Sequence, residues 1–233
     1  MSEDDPIGEV VARALDREVG QPSDGDILRL YLQLPTVITS YDRPVPRQLK
    51  VRSSFEAAFT DALNVSNGGT SWIGAIGYLC FLDQLGGALR RRDRTPTAAN
   101  DLETALELFA DLAASDRAAL YALRCSLAHD YSLANLADNV GAGRHHLYRH
   151  HFQLWPARQR EELVTLPTEP WDGNVWFVND TQVDLGRLED LAHLVRDEVL
   201  DLHHRGLLIL ALPAAEIRRR YFFVHGAELD EIG

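Results

Sequence analysis

Lysine is almost missing from this chain: Lys50 is the only one in 233 residues. The cations are therefore nearly all arginine, and they are outnumbered, 23 Lys and Arg against 35 Asp and Glu, for a formal net charge of −12. Such a chain repels polyanions as a whole, so any contact with nucleic acid requires a local basic patch. Cysteine is scarce too. Cys80 and Cys125 both fall within helical patterns and read as buried thiols in a reducing compartment. No hydrophobic run is long. Trp72–Leu82 is stopped by Asp83, well short of the ~20 residues of a membrane span. The opening MSEDDPIGE is acidic and lacks the apolar core of a signal peptide. A soluble cytoplasmic protein without membrane association is expected.

What is present is helical periodicity, in a chain that is 45% hydrophobic and long enough for a sizeable core. Pro6–Val19 and Asp26–Leu34 read as short helices, and the proline-rich Thr36–Lys50 as a connection. Ser54–Asn64 reads as a third helix, stopped at Asn67-Gly-Gly. Ser71–Leu89 reads as a core helix, apolar over much of its circumference, with Gly74 and Gly77 permitting a close neighbour. Thr97–Ala114 follows, then Ser115–Leu136 with Ser115 as N-cap. Beyond Asp138–Gly143 the pattern changes. His145–Trp155 and Asn174–Asp180 read as two strands of a small β-hairpin or sheet. Asp184 then caps an amphipathic helix, Leu185–His204, ended by Gly206. The fold class is mainly α. The chain is expected to be one domain, 1–233: a helical bundle over 1–140, a β insertion at about 145–180, a closing helix at 185–205 and a tail at 207–233.

Ser115–Leu136, SDRAALYALRCSLAHDYSLANL, carries Leu120, Leu123, Leu127, Tyr131 and Ala134 as one apolar face. Arg124 lies beside that stripe and His129 nearly opposite its centre. Residues five apart meet poorly on one straight helix, so this pair would cooperate best across a distorted helix end or with a second copy of the chain. Arg124-Cys-Ser-Leu-Ala-His129 is an R-x4-H element late in a helical region, and it resembles the signature of the HEPN superfamily, small helical proteins many of which are metal-independent endoribonucleases. The resemblance implies a HEPN-like bundle and a homodimer whose Arg124 and His129 face each other across the seam. It also implies RNA cleavage by 2′-OH attack to a 2′,3′-cyclic phosphate, in phage defence or in a toxin–antitoxin setting with an antitoxin or defence-system partner.

In that chemistry a histidine near neutral pKa moves protons at the reacting oxygens, and an arginine fork stabilises charge on the phosphate. Ser126 and Tyr131 are candidates for support on the same helix, and Arg90, Arg91 and Arg92 for phosphate contacts. The plain alternative for the arginine run is cations at a helix C-terminus, where the dipole favours them. A Cys125–His129 nucleophile is disfavoured, because nothing in the sequence orients the histidine. His145, His146, His150 and His151 place no more than two imidazoles on either strand face, too few for zinc without help from elsewhere, and no metal is expected there. No cofactor is expected either. Arg218–Phe223 could stack and neutralise RNA or could fix the tail to the body. Two further functions stand beside the nuclease. One is a non-catalytic HEPN-like module that binds RNA, a nucleotide or a protein partner, favoured by the acidic balance and by Cys125 where family members often carry Asn, Asp or His. The other is a purely structural oligomerisation domain.

Overall fold

The structure, a computed structural model, describes residues 23–33, 37–41, 47–135, 150–156, 158–169, 171–173 and 179–227. The helix expected at Pro6–Val19, the imidazoles of His145 and His146, and most of the strand expected at Asn174–Asp180 lie outside them. The described chain is mainly helical, with short strands between and around the helices. The helices are α1 (Asp24–Gln33), α2 (Ser54–Ser66), α3 (Trp72–Ala88), α4 (Asp101–Phe109), α5 (Ala114–Asp130), α6 (Leu185–His204) and α7 (Ala214–Tyr221). None of them is long and apolar enough to cross a membrane.

Helix α3 is the centre. Ser71 caps it, its side chain accepting from the Gly74 N–H at 3.3 Å. It is apolar nearly all round, so it can bury several sides at once, and α2, α4, α5 and α6 all pack on it. Two of those approaches are set by glycine. A Cβ on Gly74 would lie 2.4 Å from Ser66 Cα of α2, and one on Gly86 would lie 1.7 Å from the Asp101 carbonyl oxygen at the start of α4. The rings of Tyr31, Phe55, Phe81 and Phe59 run through the core at centroid spacings of 5.2 to 5.7 Å. Tyr221 of α7 joins this row through Tyr31 at 5.7 Å. That contact decides how Arg218–Phe223 is used at its middle: its tyrosine fixes the tail to the body. Glu107, 6% exposed, accepts from the Thr97 and Ala98 N–H groups and pins the segment before α4.

Thr36–Lys50 is not simply a connection. Val37–Tyr41 (β1) and Arg47–Ser53 (β2) pair antiparallel, and β2 also pairs with Phe222–Ala227 (β9) in the register Val51↔Val224. The β-branched residues favour strand on either side of Pro44 and Pro46, but the partner that completes this sheet comes from far along the chain. Leu89–Arg91 (β3) pairs with Leu208–Leu210 (β8). Of a hairpin or a sheet in the insertion, the chain forms a sheet, in the order β4 (Ala134–Asn135), β5 (His150–Trp155), β7 (Thr181–Asp184), β6 (Val164–Thr165). β5 and β7 run parallel, which a hairpin cannot do. Helix α6 begins after Asp184, as expected. That carboxylate is fully buried and accepts from the Arg187, Arg158 and Arg160 N–H groups at 2.9 to 3.0 Å.

Helix α5 departs from expectation at both ends. Its N-cap is Ala113, not Ser115, and it stops at Asp130 rather than Leu136. Tyr131 takes a left-handed conformation, φ 48°, and its N–H returns to the Leu127 carbonyl at 3.2 Å. Its ring leaves the apolar face altogether and is 56% exposed, while Leu120, Leu123 and Leu127 remain buried.

Gly86→Ala is expected to destabilise the fold by about 3 kcal/mol or more, because its methyl would meet backbone rather than a side chain that can turn aside. Urea denaturation measures this. Gly25→Ala, whose added Cβ would meet only Ser23 Oγ at an ordinary 3.7 Å, serves as the control for a glycine with room.

Candidate functional site

Arg124 and His129 both lie off the apolar stripe of α5, in its later turns. From 3.6 residues per turn they project ~140° apart and are offset by ~7 Å along the axis. Arg124 is partly buried where α5 crosses α3, and its Nη2 donates to Asp83 Oδ2 at 2.8 Å. Both side chains keep about a quarter of their surface, 25% for Arg124 and 24% for Asp83. His129 is exposed in the last turn.

The pair sits in a partly dry place. Burial pushes the Asp83 carboxyl above its usual range, and the Arg124 guanidinium only partly offsets this. Burial also opposes the Arg124 charge, but the adjacent Asp83 carboxylate outweighs it and raises the guanidinium further above its ordinary value. Cys80 is exposed on α3, and partial desolvation pushes its thiol up, away from the thiolate a nucleophile needs. Asp83 engages Nη2, while Arg124 Nε is buried without a hydrogen-bond partner, out of reach of solvent.

The other predicted residues divide. Ser126 faces the core at 3% exposure, its hydroxyl donating to the Ala122 carbonyl at 3.0 Å. Tyr131 stands in solvent two residues beyond His129, its ring 6.1 Å from that of Trp72 at the start of α3. Arg90 donates to the carbonyls of Leu89 and Gly86, the latter at the end of α3. Arg91 is held by Asp93 at 2.8 Å and by the Leu108 carbonyl at 3.1 Å, with Glu198 at 3.5 Å. Arg92 is exposed just past β3. The contacts of Arg90 and Arg91 are thus with α3, α4 and α6, not with α5. His150 is buried against Thr181 Oγ1 at 2.8 Å and His151 pairs with Asp180 at 2.8 Å. Among the described residues no group of three or more His, Cys, Asp or Glu side chains could hold a metal ion.

An open hollow lies between the start of α5 and β6, lined by Leu112, Asp116, Glu162, Leu163, Val164 and Leu166. It carries two carboxylates and lies toward the opposite end of α5 from His129. Two residues at the Arg124 end had not been singled out as site residues. Asp83 was visible only as the charge that ends the Trp72–Leu82 run. Trp72 opens the stretch whose pattern reads as a core helix, yet it is 37% exposed. No family model, curated protein or solved structure matches the chain.

Two measurements check this geometry. A double-mutant cycle with Asp83→Ala and Arg124→Ala is expected to give a coupling of about 0.5–1 kcal/mol that weakens with salt, as for a pair three-quarters buried but still wetted. Tyr131→Gly is expected to raise stability by about 0.5–1 kcal/mol in urea denaturation. Glycine adopts the left-handed φ without strain, and the ring it removes covers little.

Proposed function

We propose that this chain is a metal-independent endoribonuclease of HEPN type that acts as a homodimer, in phage defence or in a toxin–antitoxin setting. The observation that carries the proposal is the placement of the R-x4-H residues. Arg124 is fixed by Asp83 yet partly open to solvent, and His129 is exposed further along the same helix. In the reaction, the ribose 2′-oxygen attacks the adjacent phosphorus as its proton leaves. The P–O5′ bond breaks, a proton reaches the departing 5′-oxygen, and the product ends in a 2′,3′-cyclic phosphate. His129 supplies the proton traffic, and the solvent-open part of the Arg124 guanidinium takes charge growing on the phosphoryl oxygens. The ~140° between the two side chains is why a second protomer is needed: the imidazole of one copy and the guanidinium of the other would share a cleft.

A second function, a non-catalytic module that holds RNA, a nucleotide or a protein partner, is favoured by one feature. Asp83 already neutralises much of the Arg124 charge that a transition state would use. Incubating the protein with total RNA in EDTA separates the two. Cleavage is expected from the parent chain, with the rate falling ~100-fold or more in both His129→Ala and Arg124→Ala. Intact RNA in every tube, with folded protein and no co-purifying inhibitor, would remove the nuclease.

A further inference from the structure

The α3–α5 pair carries one feature that the proposed chemistry does not use. Trp72 near the start of α3 contacts Tyr131 at the end of α5, while Asp83 farther along α3 contacts Arg124 earlier in α5. The helices are therefore antiparallel neighbours, and a single seam runs from the aromatic pair to the ion pair. Tyr131 lies ~10 Å along α5 from Arg124, with His129 between them.

Both rings are exposed, 37% for Trp72 and 56% for Tyr131, and they meet at 51° rather than face to face. Tyr131 also holds a left-handed backbone where Gly or Asn would be unstrained, so its position is not the one stability would choose. Two wet aromatic rings at one end of the seam and a guanidinium ~10 Å along it offer π-faces and hydrogen-bond donors on one surface. That is the chemistry of a base and its neighbouring phosphate.

We propose that Trp72 and Tyr131 form a stacking platform for an unpaired nucleobase, so that the substrate is single-stranded RNA whose strand runs along the seam toward Arg124 of the same copy. Bases within a duplex are already stacked on each other and cannot reach such a platform. Stacking tolerates every base, so the platform selects for unpaired strand rather than for sequence. The assignment rests on the RNA-cleaving function proposed above, but its test reads binding rather than cleavage.

The test uses the full chain with His129→Ala, which keeps the ligand whole. Fluorescence anisotropy is followed at low salt with a labelled, unstructured RNA of about twelve nucleotides and with the same strand in a duplex. The single strand is expected to bind more tightly than the duplex. Trp72→Leu and Tyr131→Gly should each weaken it ~5- to 100-fold. Trp72→Phe should recover most of the loss, which a merely structural role would not give. Single-strand affinity unchanged within about twofold in both Trp72→Leu and Tyr131→Gly would overturn the platform, as would equal binding of the duplex. A fall in solution mass from dimer to monomer in these variants would also overturn it, because the rings would then belong to the contact between copies. If the parent cuts RNA while the platform variants bind like the parent, only the platform falls. If RNA is bound through these rings but never cut, only the nuclease falls.

Discussion

The burial of α3 on several sides at once is the constraint on which the rest of the structure depends. A helix can be surrounded in this way only if it is apolar nearly all round and if its neighbours can come close. The close approaches at Gly74 and Gly86 show how tight two of those contacts are. With α2 and α4 seated there, α3 becomes a rigid bar, and the side of it that meets α5 is left to carry polar groups. Asp83 and Trp72 stand on that side, and through them α3 fixes both ends of the seam that holds Arg124 and Tyr131.

Much of the fold was legible locally, because its helices bury one face and repeat at their own period. Leu185–His204 was read with its boundaries and with the Asp184 cap, since one amphipathic stripe begins at a capping carboxylate and ends at Gly206. The strands were harder. β1 and β2 take their third partner from Phe222–Ala227, and β5 pairs in parallel with a segment some thirty residues away. Neither pairing leaves a mark in a short window. The end of α5 was misplaced for a different reason. Tyr131 and Ala134 fall on the helical period, but a single left-handed residue breaks the helix without glycine or proline to announce it.

The candidate site divides along the same line. Arg124 and His129 could be picked out as residues off the apolar stripe. Their surroundings could not, because Asp83 and Trp72 belong to another helix and meet α5 only through tertiary packing. The arginine run shows the converse. Four arginines within five residues look like a phosphate-binding patch, yet Arg91 and Arg94 pair with Asp93 and Asp111, and Arg90 turns to backbone carbonyls. Composition had warned of this: with 35 carboxylates to 23 cations, most arginines have an acid within reach.

That imbalance bears on why an arginine suits position 124. A lysine paired with Asp83 would present one compact charge already satisfied by its partner. A guanidinium is planar and carries five donors along more than one edge, so it can hold a carboxylate on one side and still offer N–H groups elsewhere. Asp83 takes Nη2, and the pair stays partly wetted rather than sealed in the core. For a chain that repels polyanions overall, this arrangement keeps a fixed, always-charged donor set at one place without an exposed basic field around it. A phosphate arriving there would be drawn by short-range hydrogen bonds more than by long-range attraction, and its approach would depend on whatever else holds the strand in place. Neighbouring exposed aromatic rings would supply such a hold without needing charge, which is the use an acidic protein would have for them if it acts on RNA as proposed.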